Sequence, residues 1–163
     1  MLVAILDFGT NTFNLLIAER KDRSFKIIHS SKQAVKLGRG GIQVNRITPD
    51  AFERGFVAIT NHMEVIKQYK VDKIRAFATS AIRNATNGQE FVDEVKRQFG
   101  FRVKVIGGKR EADLIYKGVR QAIPFNKEKM MILDIGGGSN EFIICNKDGI
   151  IYGTDHDINA QDQ

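Results

Sequence analysis

One short pattern occurs twice in the chain, 127 residues apart. The first copy runs Ile5-Leu6-Asp7-Phe8-Gly9-Thr10-Asn11-Thr12-Phe13 into the apolar Leu15-Leu16-Ile17. The second runs Ile132-Leu133-Asp134-Ile135-Gly136-Gly137-Gly138-Ser139-Asn140 into Phe142-Ile143-Ile144. Each copy is an apolar strand, an Asp, a glycine turn with small polar residues, and a second apolar strand. A fold that uses such a hairpin twice is pseudo-symmetric. The two Asp residues stand at equivalent strand ends.

The chemistry of this shape is anion binding. Glycine lets backbone N–H groups turn inward with no Cβ in the way, and such a turn forms a concave site for phosphate oxygens. On this reading Gly9, Thr10, Asn11 and Thr12 in one turn and Gly136, Gly137, Gly138 and Ser139 in the other hold phosphate. Asp7 and Asp134, at the strand ends, are placed to hold Mg²⁺ or another divalent cation, usually through water. Two such hairpins facing each other would clamp a phosphate chain from both sides. A net charge of +6 favours anionic partners without choosing among nucleic acid, polyphosphate and nucleotides.

Between the copies, strand and helix patterns alternate. Phe25 to Val35 has β-like composition and completes a three-strand meander with strands near 2–8 and 12–20. Thr48-Pro49 starts a helix with Phe52, Phe56, Ile59, Met63 and Ile66 on one face. Ile74 to Ala78 reads as a strand, with the polar turn Thr79-Ser80 at its end. Asn87 and Glu90 resemble a capping box for a helix that Gly100 stops. Phe101 to Ile106 is a strand, and a helix after Gly107-Gly108 carries Ala112, Ile115, Tyr116, Val119 and Ile123. Met130 to Asp134 and Phe142 to Cys145 form the second hairpin, Asp148-Gly149 is a further turn, and Gly153 to Gln163 reads as a frayed tail. The fold class is α/β, with a mixed sheet: an antiparallel meander extended by parallel strands and flanked by helices.

Some function classes recede. Cys145 is the single cysteine, so an internal disulfide is excluded, and on a strand it reads as a small core residue. His29, His62 and His156 have no metal-ligand spacing. Gly107-Gly108 fits neither a Walker nor a Rossmann pattern. No apolar run approaches the ~20 residues of a membrane helix, and Met1 to Asp7 lacks a basic leader region; a soluble cytoplasmic protein with no membrane partner is expected. The chain lacks an Arg-rich recognition helix and an aromatic stacking platform, which argues against nucleic acid. Lys36 and Arg39, around a Gly-rich loop, read as surface charges.

Five ordered segments resemble the Ppx/GppA family of exopolyphosphatases and guanosine pentaphosphate phosphohydrolases. Asp7-Phe8-Gly9-Thr10-Asn11-Thr12-Phe13 resembles D-x-G-S-N-S-F, and Asp134 to Glu141 resembles D-I-G-G-G-S-T-E. Ala78 to Ala85 resembles A-T-S-A-x-R-x-A. Gly108-Lys109-Arg110-Glu111-Ala112 with Leu114-Ile115-Tyr116 and Gly118-Val119 resembles S-G-x-E-E-A-x-L-I-Y-x-G-V. Lys32-Gln33 and Leu37-Gly38 fit an early family segment.

The resemblance implies an actin-like ATPase (ribonuclease H-like) lobe, with phosphate and Mg²⁺ between two lobes. It implies hydrolysis of a terminal phosphoanhydride of inorganic polyphosphate or guanosine pentaphosphate. Glu111 matches the catalytic carboxylate, acting as general base. Asp134 and Glu141 match an acidic pair that binds the cation or positions water, with Asp7 opposite; Arg83 matches a cation facing the phosphates. Three positions depart from the family: Asn14 where many members are basic, Arg110 in place of a Glu beside Glu111, and Asn140 in place of Thr. The implied division is a first lobe over 1–125, the opening hairpin of an incomplete second lobe over 126–153, and a tail over 154–163. Such a hairpin exposes apolar residues, so docking onto the first lobe or pairing as a homodimer is expected, with very weak hydrolysis by the chain alone. Other readings are a kinase or ATPase of the same fold, or a non-catalytic lobe that binds polyanions, nucleotides or a partner.

Overall fold

The computed structural model describes residues 1–21, 24–41 and 45–157; the side chains of 154–157 fall outside that description. Strands β1 (Leu2–Phe8), β2 (Thr12–Lys21) and β3 (Ser24–Ala34) form the antiparallel meander. Strands β4 (Lys73–Ala78) and β5 (Val103–Val105) extend it in parallel, giving a five-stranded sheet of order β3-β2-β1-β4-β5. The strand expected over Phe101–Ile106 keeps three residues of ladder, with a further bond from Ile106 N–H to the Ala78 carbonyl.

One face of this sheet carries the main core. Period-two alternation along β1 and β2 puts Ala4, Leu6, Phe8, Phe13, Leu15 and Ile17 on that face, all buried. Helices α1 (Pro49–Tyr69) and α3 (Gly88–Phe99) cover it. Phe91 of α3 meets Phe8 and Phe13 edge-on, and those two rings stack at 4.5 Å. Thr48 caps α1 through Ala51 N–H, with Pro49 at the first turn, and Gly100 ends α3 in the left-handed region.

Three local expectations change. Asn87 precedes α3 but does not cap it: its amide pairs with both the N–H and the carbonyl of Ile47 at 2.9 Å. A buried amide satisfied by a distant backbone is unavailable to its own helix. Thr79-Ser80 is not a simple turn, because Ser80 opens the short helix α2 (Ser80–Asn84). Residues 153–157 are not a frayed tail; they continue strand β8 (Gly149–Asp157). Residues 158–163 of that tail lie outside the described residues.

Strands β6 (Met130–Ile135) and β7 (Ser139–Asn146) form the second hairpin, and β8 makes it a three-stranded antiparallel sheet. One face docks on α4 (Gly108–Ala122): Ile143 and Cys145 pack with Ala112 and Tyr116, and the Tyr116 hydroxyl donates to the Asn146 carbonyl at 3.0 Å. No described helix is long and apolar enough to cross a membrane.

Candidate active site

The two glycine turns are built alike. Gly9 N–H donates to the Thr12 carbonyl at 3.1 Å, and one repeat later Gly136 N–H donates to the Ser139 carbonyl at 2.9 Å. They also touch. A Cβ on Gly137 would lie 2.3 Å from the Asn11 amide nitrogen, and one on Gly138 would lie 2.5 Å from Thr10 Oγ1 and 2.6 Å from Ser80 Oγ. A side chain at either position would have to displace side chains of the opposite turn or of Ser80.

The turns wall a cleft of about 480 Å³ at the C-terminal ends of β1, β4 and β6. Asp7, Glu111, Asp134 and Glu141 line it, with Asn14, Thr79 and the turn residues Gly9 to Thr12 and Gly136 to Ser139. Asp7 sits opposite Asn14 across the β1–β2 pair and accepts its amide at 3.0 Å. Burial pushes the Asp7 carboxyl above its ordinary range; the Asn14 bond opposes the shift and the nearby Asp134 charge adds to it. One repeat later Asp134 stands opposite Glu141, a buried carboxylate.

Glu111 lies in the first turn of α4, where an acid suits the helix dipole. Its carboxylate pairs with Arg83 of α2 at 3.1 Å, and the same guanidinium nitrogen donates to the Ile106 carbonyl. Arg83 is not among the described residues that line the cleft, but it is paired with one that is, Glu111. Arg110 pairs with Asp113, while Arg83 is a cation that pairs with Glu111. Asn140 lies in β7 opposite Ile135, outside the cleft lining.

Among the described residues, no group of three or more His, Cys, Asp and Glu is placed to hold a metal ion. The implied trio Asp7, Asp134 and Glu141 is thus not a closed protein cage. Mg²⁺ needs no such cage: it binds through one or two carboxylates, substrate phosphates and water. Asp7 and Asp134, the second close enough for its charge to add to the upward shift of the first, fit that arrangement.

A model of the Ppx/GppA phosphatase family matches residues 16–152. The chain belongs to this family. An exopolyphosphatase from Cytophaga hutchinsonii superposes with a TM-score of 0.94 at 37% identity, over 99% of this chain and 52% of that one. The Ppx/GppA family member from Aquifex aeolicus gives 0.82 at 30% identity, over 97% and 51%. The ethanolamine utilization protein EutJ from Carboxydothermus hydrogenoformans, at 12% identity and a TM-score of 0.52, shares the fold alone. The chain spans about half the length of these structures. The Ppx/GppA assignment brings with it the actin-like ATPase fold, whose mixed sheet is the one found here. In this Ppx/GppA chain sequence reasoning singled out the turns, Asp7, Asp134, Glu111 and Glu141. It passed over Thr79 as a lining residue and met Asn14 only as a departure from the family pattern. A signal for Thr79 was present: it follows a strand parallel to β1, and sites in such sheets collect at carboxyl ends of strands.

Proposed function

We propose that this chain carries the reacting centre of a phosphohydrolase acting on the terminal phosphoanhydride of inorganic polyphosphate or guanosine pentaphosphate. The observation that carries the reading is the meeting of both glycine turns with Asp7, Asp134 and Glu111 in one cleft. The turn N–H groups and hydroxyls bind the terminal phosphate. Glu111, held by Arg83, takes the proton of the attacking water. Water oxygen bonds to the terminal phosphorus, the bond to the bridging oxygen breaks, and the products are orthophosphate and a chain one phosphate shorter. Asp7 and Asp134 are the residues that would hold Mg²⁺ or another divalent cation, which supplies charge neutralisation at the phosphate oxygens.

The test is phosphate release with Mg²⁺ from wild type and Glu111→Gln in an intact two-lobed context. The variant keeps size and polarity and removes the base, so the rate should fall ~10²–10⁴-fold with phosphate binding retained. Equal rates would mean that another group activates the water. A second reading, a phosphate-binding module without turnover, is favoured by the exposed apolar face of the β6–β8 sheet. Weak turnover is expected of this chain alone, because Glu111 and Asp134 need a fixed separation and half of the relatives' fold is what this chain spans. Mg²⁺-dependent anion binding with no phosphate release would select the module.

A further inference from the structure

The first turn is held from behind. Val35 N–H and Lys36 N–H both donate to the Asn11 carbonyl at 2.9 Å, and Leu37 N–H donates to the Thr10 carbonyl at 2.7 Å. A trans peptide is planar, with its N–H directed opposite its C=O. Fastening the Thr10 and Asn11 carbonyls to residues 35–37 therefore turns Asn11 N–H and Thr12 N–H the other way. Gly9 to Thr12 line the cleft and no described residue of 34–41 does, so the cleft lies on the side to which those N–H groups point.

Residues 35–37 are themselves held by Arg54 of α1. Its Nε donates to the Val35 carbonyl at 2.8 Å, and a terminal guanidinium nitrogen donates to the Lys36 carbonyl at 3.1 Å. Bonded through both its N–H and its carbonyl, Lys36 adopts φ 50°, the left-handed region that lysine seldom enters. Such conformations persist where the surroundings over-determine them. Among the described residues Arg54 has no carboxylate partner; its charge is directed at two successive backbone carbonyls. Charge-assisted bonds are about twice as strong as neutral ones. The rigid planar fork of arginine reaches both carbonyls at once, which a lysine ammonium does not reproduce.

We infer that Arg54, which does not line the cleft, is a positioning residue for the reaction: by fixing residues 35–37 it keeps the N–H groups of the Gly9–Thr12 turn aimed at the terminal phosphate. The inference rests on the hydrolase reading above. It puts part of the binding strength of the turn outside the cleft, in the succession Arg54, Val35–Leu37, Thr10–Asn11. Preorganised donors bind an anion without reorganising first, so loosening their support weakens binding even though every donor is still present. An arginine that only fastened the end of β3 would contribute stability and leave anion affinity untouched. The two roles differ in what they change.

The test compares wild type with Arg54→Ala, Arg54→Lys and Val95→Ala, the last a truncation in the buried core of α3 that serves as the stability control. Each is titrated with pyrophosphate at fixed Mg²⁺, and Tm and amide exchange are recorded. Arg54→Ala should bind pyrophosphate about tenfold more weakly, a difference equal to about 1.4 kcal/mol. Its Val35, Lys36 and Leu37 amides should exchange faster. Millimolar guanidinium chloride, against the same concentration of NaCl, should restore most of the affinity of Arg54→Ala by refilling the donor position, and should change nothing in Val95→Ala. Arg54→Lys should fall between wild type and Arg54→Ala. Val95→Ala should lower Tm at least as far as Arg54→Ala does and keep wild-type affinity. Should Arg54→Ala not fold, the loss of affinity in Arg54→Lys decides the question. Wild-type affinity in the Arg54 variants would overturn the positioning role. So would an equal loss in Val95→Ala, or a loss in Arg54→Ala that guanidinium leaves in place. Those results leave the hydrolase reading standing, since wild type still binds the anion; a wild type that binds no pyrophosphate defeats that reading and the positioning role together.

Discussion

The two hairpins are the same sequence idea with opposite fates. Ala4, Leu6 and Phe8 in β1 are fully buried, while their counterparts one repeat later, Met131, Leu133 and Ile135 in β6, are 66%, 45% and 71% exposed. Leu15 in β2 is buried, and its counterpart Phe142 in β7 is 39% exposed. In the first sheet α1 and α3 cover this face. In the second, α4 covers the other one, over Ile132, Ile143 and Cys145. Alternation decides which side chains share a face; the neighbouring elements decide which face leaves water. The turns differ as well. Asp7 faces an amide, Asn14, whereas Asp134 faces a second carboxylate, Glu141, so the acid side of the cleft is weighted toward the second hairpin.

The sharpest way to break this comparison is to make the same truncation on both sides. Phe8→Ala removes a ring packed against Phe13 and Phe91 and should cost about 3–5 kcal/mol by urea denaturation. Ile135→Ala, one repeat on, should change stability by no more than about 0.5 kcal/mol. A large cost for Ile135→Ala would mean that the exposed face is covered in solution, by a second copy or another polypeptide.

What was legible in the sequence was local or periodic. The repeat, the meander, the Thr48-Pro49 helix start and the Gly100 stop depend on residues within a few positions, and each stands where its pattern put it. What was not legible depends on partners far along the chain. Asn87 serves Ile47 rather than its helix, and Arg83 reaches Glu111 from 28 residues away. The end of β8 reads as tail because Gly153 to Asp157 is polar, yet an edge strand tolerates polar residues when its ladder is made by β7. At the site, the turns and acids could be named from the repeat and the resemblance. The Asn11–Gly137 and Thr10–Gly138 contacts could not, because they require knowing how one sheet sits against the other.

Those contacts give the next test. Gly138→Ala places a methyl group within 2.5 Å of the buried Thr10 hydroxyl and 2.6 Å of the Ser80 hydroxyl, so those side chains or the turn that carries Gly138 have to move. We expect a loss of about 1–3 kcal/mol, together with faster amide exchange at both turns. Exchange confined to the second turn would show that the two do not support each other.

A smaller effect separates the two Asp residues. Burial holds Asp7 above the ordinary aspartate value of 3.8, so the folded chain disfavours its charge. Asp7→Asn should therefore raise stability at pH 7, by about 1 kcal/mol or less. A raised folded value means that the wild type gains stability as pH falls through it toward 3.8, so the advantage of the variant should shrink over that window. Asp134→Asn, on an exposed strand residue, should leave stability within about 0.5 kcal/mol. Equal effects from the two substitutions would erase the distinction between the turns.

The smallest expected effect concerns how the two sheets answer to pH. His62 of α1 is buried under β2 and donates Nε2–H to the Phe13 carbonyl at 3.1 Å. Its Nδ1 has no hydrogen-bond partner among the described residues, so the charged ring would bury an unanswered N–H. Burial accordingly lowers its pKa from 6.5, against the Phe13 bond and with the His29 charge. A lowered value for a base means that the unfolded chain takes up the proton first: stability is complete above pH 6.5 and declines as pH falls below it. Cys145, buried in the second sheet, behaves in the opposite sense. Burial raises its thiol from 9.0, so its contribution is complete below that value and is lost as pH rises beyond it. His62→Gln retains a donor for the Phe13 carbonyl and removes the titration. Its urea midpoint should vary less between pH 7.5 and 5 than that of wild type, while Cys145→Ala should leave the acid limb unchanged and flatten the alkaline one. Identical acid limbs for wild type and His62→Gln would show that the first sheet owes its acid sensitivity to other groups.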